Sequence, residues 1–147
     1  MTLAVTEQEL QQLLAESDFV KMYGFELVSF EEGHCILRVP FQKVFERPGG
    51  VVNGPVYMAV ADLAIWFAVI TLIGREEGDM SVTTELNTAF LSGGRGDVTC
   101  KARILKLGRR LIYGVAECMD EKGKLLTHHT ATYIRPHKKG SNPVHNQ

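Results

Sequence analysis

The sequence is short of the features that mark several large classes of protein. Its three cysteines, Cys35, Cys100 and Cys118, are odd in number and widely spaced, with no CxxC pair and no Cys/His cluster. This argues against a disulfide framework or a zinc site; free buried thiols in a reducing compartment, and no metal, are expected. The formal net charge is −1. That offers neither a basic field for nucleic acid nor an acidic tail for a charged partner. Met1 to Ala15 lacks a basic segment followed by an apolar core, so no signal peptide is expected and the location expected is cytoplasmic. No internal repeat occurs. At 147 residues, one domain spanning 1–147 is expected, with a core over about 20–135 and a flexible polar tail over 136–147.

What is present begins with one long apolar run. Pro55 to Ile73 carries a single charge, Asp62, and is nearly long enough to span a bilayer. Yet Asp at the centre of a membrane helix costs about 2.5–3.5 kcal/mol, and no Lys/Arg cluster flanks the run. A helix apolar on all sides can equally be wrapped by its own protein, and that is the expectation here, with no membrane partner. Pro55 suits the first helical turn, Asn53 or Gly54 would be the N-cap, and Gly74 would stop the helix. Ala61, Ala64 and Ala68 allow close approach to a sheet; Val60, Leu63, Phe67 and Ile70 supply bulk.

Around that helix the chain reads as one short amphipathic helix and several strands. Thr6 followed by Glu9 fits a capping box ahead of Leu10, Leu13 and Leu14. Phe25 to Phe30 and Cys35 to Phe41 form a hairpin across Glu31-Glu32-Gly33. Arg47-Pro48-Gly49-Gly50 is a loop. After the long helix come four strand-like runs: Met80 to Leu91, Val98 to Leu107, Leu111 to Met119, and Leu125 to Arg135. Their short connections predict antiparallel neighbours. The architecture expected is α+β: a long central helix wrapped by a curved antiparallel sheet, completed by a partner subunit.

Asp62 is the most informative residue. A carboxylate inside an apolar segment is costly without partners, so it is either bonded structurally or set up for chemistry. The helix start is the second feature. With Pro55 lacking an N–H, the Gly54 amide is one of few donors left there, and it could cap the helix or hold an oxyanion. Asp62 lies nine residues after Asn53, about 13 Å of helical rise, so the two ends cannot meet within one subunit. That points to an oligomer with interface sites. On the following strand, simple alternation puts Thr83, Glu85 and Asn87 on one face and Val82, Thr84 and Leu86 on the other. Arg109 and Arg110 follow Gly108 at a turn and could be solvated or hold phosphate. His128 and His129, adjacent in a strand, point to opposite faces and read as structural. Tyr57 and Trp66 read as packing residues or pocket walls.

The run Arg47-Pro48-Gly49-Gly50-Val51-Val52-Asn53-Gly54-Pro55, followed by Ala61-Asp62, resembles the signature of hotdog-fold thioesterases of the PaaI type, within the hydroxybenzoyl-CoA thioesterase superfamily. Ser81 to Asn87 and Gly96-Asp97-Val98 are similar to the family as well, and the likeness spans about Phe25 to Ile134. It implies a hotdog fold acting on an acyl-CoA or similar acyl thioester, without a cofactor. It implies Asp62 as nucleophile or general base, Gly54 N–H as donor to the thioester carbonyl, and Thr83 as a hydroxyl that helps position water. Asn53 stands where the family has His, and Pro55 where it has a second Gly. The remaining expectations are Arg109, Arg110, Tyr57 and Trp66 as substrate contacts and a homodimer or homotetramer with sites at the subunit interface. A non-catalytic module that binds acyl-CoA or another ligand is the alternative. Hydratase chemistry ranks below it, because no His-containing motif supports it.

Overall fold

The computed structural model describes residues 2–137; the polar tail expected at the C-terminus lies outside the described residues from 138 onward. Two short helices lead, α1 (Glu7–Glu16) and α2 (Asp18–Tyr23). The hairpin β1 (Glu26–Glu31) and β2 (His34–Val39) follows, then a single 3-10 turn at Lys43–Phe45 and the long α3 (Gly54–Gly78). The chain finishes with β3 (Val82–Phe90), β4 (Val98–Leu107), β5 (Leu111–Met119) and β6 (Leu125–Ile134). The six strands form one antiparallel sheet in the order β1-β2-β4-β5-β6-β3. This is an α+β hotdog, with the sheet curled around α3.

One connection departs from the run of tight turns that the sequence predicts. β3 does not lie beside β4. The segment after it passes over the start of α3, where the Val52 amide donates to Gly94 O and the Leu91 and Ser92 amides both donate to Leu126 O. β3 is thereby left at one edge of the sheet, paired only with β6.

Local chemistry explains the helices. Thr6 Oγ1 accepts from the Glu9 amide at 3.2 Å and Glu9 Oε1 accepts from the Thr6 amide at 3.0 Å, the expected capping box. Leu10 and Leu14 are then buried. α2 was not legible from periodicity, being six residues long. Its signals were an N-cap, Ser17, and a left-handed C-cap, Gly24. α3 starts from Asn53 as N-cap, with Pro55 in its first turn. It is interrupted at Gly74, whose φ of +81° is left-handed, and closes with one more turn.

The packing of α3 positions everything that follows. Val60, Ala61, Ala64, Ile65, Phe67, Ala68, Val69 and Ile70 are fully buried. Small residues let the sheet come close: a methyl on Gly114 of β5 would sit 2.9 Å from Ile65 Cγ2. Thr71 turns its hydroxyl inward, donating to Ala68 O at 2.6 Å and accepting the Gly33 amide at 2.8 Å, which ties the β1–β2 turn to the helix. By length and composition α3 could cross a membrane, yet most of its apolar span is covered by the fold. The stripe that the sheet leaves half-open is Ala59, Asp62, Leu63 and Trp66, spaced i, i+3, i+4, i+7 along one helix face.

Candidate active site

That half-open stripe floors a cavity of about 360 Å³. Ala59, Asp62, Leu63 and Trp66 come from α3, and Phe19, Val20 and Phe25 close one side from α2 and the approach to β1. Ser81, Val82, Thr83 and Tyr133 close the other. The walls are mostly apolar, and the polar groups converge on Asp62. Phe19 stands at 60% exposed, large and apolar against solvent. Trp66 is held by its indole N–H, which donates to Gly78 O at 2.8 Å.

Asp62 is partnered from the sheet. Thr83 Oγ1 donates to Asp62 Oδ1 at 2.7 Å, and the Tyr133 hydroxyl donates to the same oxygen at 2.5 Å while lying 2.8 Å from the Asp62 carbonyl. Thr83 and Tyr133 are direct cross-strand partners on β3 and β6. Burial pushes the Tyr133 phenol well above its ordinary pKa, and the neighbouring Asp62 charge pushes it further. It therefore stays protonated and remains a donor.

The face on which Thr83 sits corrects simple alternation. β3 slips register between Thr83 and Glu85, so one extra residue stands against β6. Thr83, Leu86 and Thr88 are half-buried, while Glu85 and Asn87 are exposed. Thr83 thus faces the helix with Leu86 and not with Glu85 and Asn87. Without that bulge, Thr83 could not point at Asp62 while Thr88 also points inward.

Gly54 and Asn53 lie elsewhere. Gly54 lines a second cavity, with Arg47, Val51, Val52 and the β3 end at Phe90 to Gly93. As the first helical residue, its amide has no partner inside the helix. Asn53 makes no side-chain capping bond, so its amide group is not committed to the helix. Eight residues of helix, about 12 Å of rise, separate Gly54 from Asp62. The chain therefore holds the two features in separate cavities.

The remaining expected contacts divide. Trp66 joins the Asp62 cavity. Tyr57 does not: it is 3% exposed and its hydroxyl accepts the Gly94 amide at 3.2 Å, which fixes the β3–β4 connection. Arg109 is exposed at the β4–β5 turn, and Arg110 Nη1 donates to His137 Nδ1 at 2.6 Å. Neither arginine lines the cavity of Asp62 or that of Gly54. Asp97, from the second family-like run, accepts from the Phe41 amide at 2.6 Å and from Arg38, anchoring the chain after β2.

His128 and His129 do point to opposite faces. His128 meets Glu117 at 2.8 Å on the outer face. His129 is fully buried between Thr88 Oγ1 at 2.8 Å and Thr127 Oγ1 at 2.7 Å, with Cys118 Sγ at 3.8 Å. The three cysteines are free and buried, as expected. Burial pushes the Cys35 thiol up to about 12. Cys100 and Cys118 are cross-strand partners; the hydrogen bond between them pushes Cys100 up and pulls Cys118 down. Among the described residues no cluster has the makings of a metal site.

Comparison with known proteins decides the family. Residues 49–127, more than half the chain, match the family model for the thioesterase superfamily. The chain belongs to the thioesterase superfamily. It is 26% identical over 129 residues to Ta0293 of Thermoplasma acidophilum, provisionally named an esterase, covering 86% of this chain and 94% of that one. It is 28% identical over 127 residues to SSO1253 of Saccharolobus solfataricus, named likewise, covering 86% and 83%. Among solved structures, the Haemophilus influenzae thioesterase HI1161 superposes with a TM-score of 0.83 at 24% identity, covering 92% of this chain and 95% of that one. The E. coli PaaI protein, from the phenylacetic acid degradation operon, gives 0.77 at 16%, covering 88% and 92%. At those identities the two structures speak to the fold alone. The superfamily match makes this a member of a thioester hydrolase family. Tyr133 is the site residue that the sequence did not disclose, because an aromatic residue in a strand reads as packing.

Proposed function

We propose that this protein hydrolyses an acyl thioester, with an acyl-CoA as the substrate class. Asp62 is its catalytic carboxylate and the Gly54 amide its oxyanion donor. One observation carries the proposal: a carboxylate is held by two hydroxyls at the floor of an apolar cavity. In the general-base route, Asp62 takes a proton from water as the water oxygen bonds to the acyl carbon. The carbonyl electron pair moves to oxygen, where a backbone N–H holds it. Collapse breaks the C–S bond, and the departing thiolate takes the proton back from Asp62. In the nucleophilic route the carboxylate attacks the acyl carbon, the C–S bond breaks and the thiolate leaves; water then hydrolyses the mixed anhydride, restoring Asp62 and supplying the proton that the thiolate takes up. The apolar walls suit the acyl chain.

The separation of Asp62 from Gly54 supports a site shared between two copies. β3 is an edge strand whose Val82 and Phe90 are each 57% exposed, an edge that proteins rarely leave uncovered. It runs from the Asp62 cavity, at Thr83, to the Gly54 cavity, at Phe90. Antiparallel pairing of two such edges about a two-fold axis brings the Thr83 end of each beside the Phe90 end of the other. Each Asp62 then approaches the partner's helix start. A mixture of Asp62→Asn and Gly54→Val subunits, each inactive alone, should regain activity on exchange, since a mixed pair carries one intact site.

The primary test is thiol release from short, medium, long-chain and aromatic acyl-CoAs. Asp62→Asn should cut turnover by about 10²–10⁴-fold or more with melting unchanged. A second reading, ligand binding without turnover, draws on Asn53, which cannot titrate near neutral pH as the family's His can. Tight acyl-CoA binding with no hydrolysis across the panel would install that reading instead.

A further inference from the structure

The fold treats the two oxygens of Asp62 differently. Oδ1 accepts from both Thr83 and Tyr133. Oδ2 has no hydrogen-bond partner among the described residues, and no buried side-chain nitrogen or oxygen there lacks one. Oδ2 is therefore accessible, and the cavity that Asp62 lines is where it opens. We propose that Tyr133 is a positioning residue for thioester hydrolysis. Its hydroxyl, with that of Thr83, pins Oδ1 and leaves Oδ2 as the oxygen that takes the proton from water or attacks the acyl carbon. This rests on the reading of Asp62 given above.

Three observations support the assignment. First, Tyr133 is 3% exposed, and a phenylalanine would fill the same space; a buried hydroxyl is costly unless bonded, so this one has a polar task. Second, the hydroxyl touches both the carboxylate and the carbonyl of the same residue, at 2.5 and 2.8 Å, which removes the rotations an Asp side chain otherwise keeps. Third, two donors aimed at Oδ1 leave no room for a proton there. With Oδ1 so occupied, a proton gained in the reaction goes to Oδ2. In the general-base route the water O–H bond breaks, Oδ2 gains the proton, and the water oxygen bonds to carbon. When the C–S bond breaks, the same proton leaves Oδ2 for sulfur. Oδ1 keeps its two donors throughout, so the carboxylate need not reorient between steps.

The experiment is steady-state hydrolysis of the fastest acyl-CoA from the panel for wild type, Asp62→Asn and Tyr133→Phe. In Tyr133→Phe, kcat should fall about tenfold to a hundredfold with KM little changed. Merely structural damage would loosen the cavity and raise KM as well. If the Phe variant does not fold, site-specific 3-fluorotyrosine at position 133 keeps the ring and changes only the strength of the donor; kcat should then change while KM stays. A folded Tyr133→Phe with unchanged kcat, beside an inactive Asp62→Asn, would overturn the role of Tyr133 and leave Asp62 standing. Full activity in Asp62→Asn would remove both.

Discussion

Two polar clusters lie under the same pair of strands, and they are built alike. In each, a threonine of β3 meets its direct partner on β6: Thr83 with Tyr133, and Thr88 with His129. In the first, the two side chains converge on a carboxylate whose second oxygen opens on a cavity. In the second, Thr88 and Thr127 occupy both ring nitrogens of a fully buried imidazole. Each hydroxyl can donate or accept, so the pair satisfies the ring whichever nitrogen carries the proton. The difference separates chemistry from architecture. A cluster that matches every donor with an acceptor has nothing left to offer a substrate; one that leaves an oxygen unmatched, beside room for a ligand, does.

The largest expected effects follow from that contrast, and they should not cross over. Asp62→Asn should lose about 10²–10⁴-fold in rate, equivalent to roughly 3–5 kcal/mol of barrier, with little change in melting temperature. His129→Leu should do the reverse. It strips partners from half-buried Thr88 and from fully buried Thr127, costing about 1–3 kcal/mol of stability for the buried hydroxyl left unsatisfied. Thermal melting alongside thiol release would separate the two. A His129 variant that melts normally but fails to hydrolyse would make the second cluster part of the site and break the contrast.

Much of the fold was open to the sequence, because local patterns carry it. β4 and β5 fall where their apolar runs begin and end, and the capping box at Thr6 and the stop at Gly74 are side-chain or backbone preferences of single residues. What was closed depended on tertiary placement. Nothing local says that β3 crosses to the far edge beside β6, since that is settled by the segment from Leu91 to Asp97 passing over the helix start. The bulge after Thr83 is similar: one residue out of register reverses which side chains face the helix, and the sequence shows only an unbroken strand. Asp62 stood out as a lone charge in an apolar run. Tyr133, 71 positions away, had no such mark.

The smallest effects give the sharpest comparison, because the same substitution can be made in both clusters. Thr83→Val and Thr88→Val each replace a hydroxyl by a methyl at nearly constant volume, on the same strand. Thr88→Val leaves one ring nitrogen of buried His129 without its partner. It should cost about 1–2 kcal/mol of stability and leave hydrolysis unchanged. Thr83→Val leaves Asp62 Oδ1 with Tyr133 still attached and water able to enter from the cavity. It should cost less stability than Thr88→Val, because a half-exposed carboxylate can recover its hydrogen bond from solvent. Hydrolysis should nonetheless fall several-fold, by about one hydrogen bond's worth of orientation. Chemical denaturation of both variants, with kcat measured on the same samples, reads the two quantities together. Equal stability losses in the two would mean that water does not reach Oδ1 and that the carboxylate is sealed on that side. Tyr133 and Thr83 would then be its only donors there.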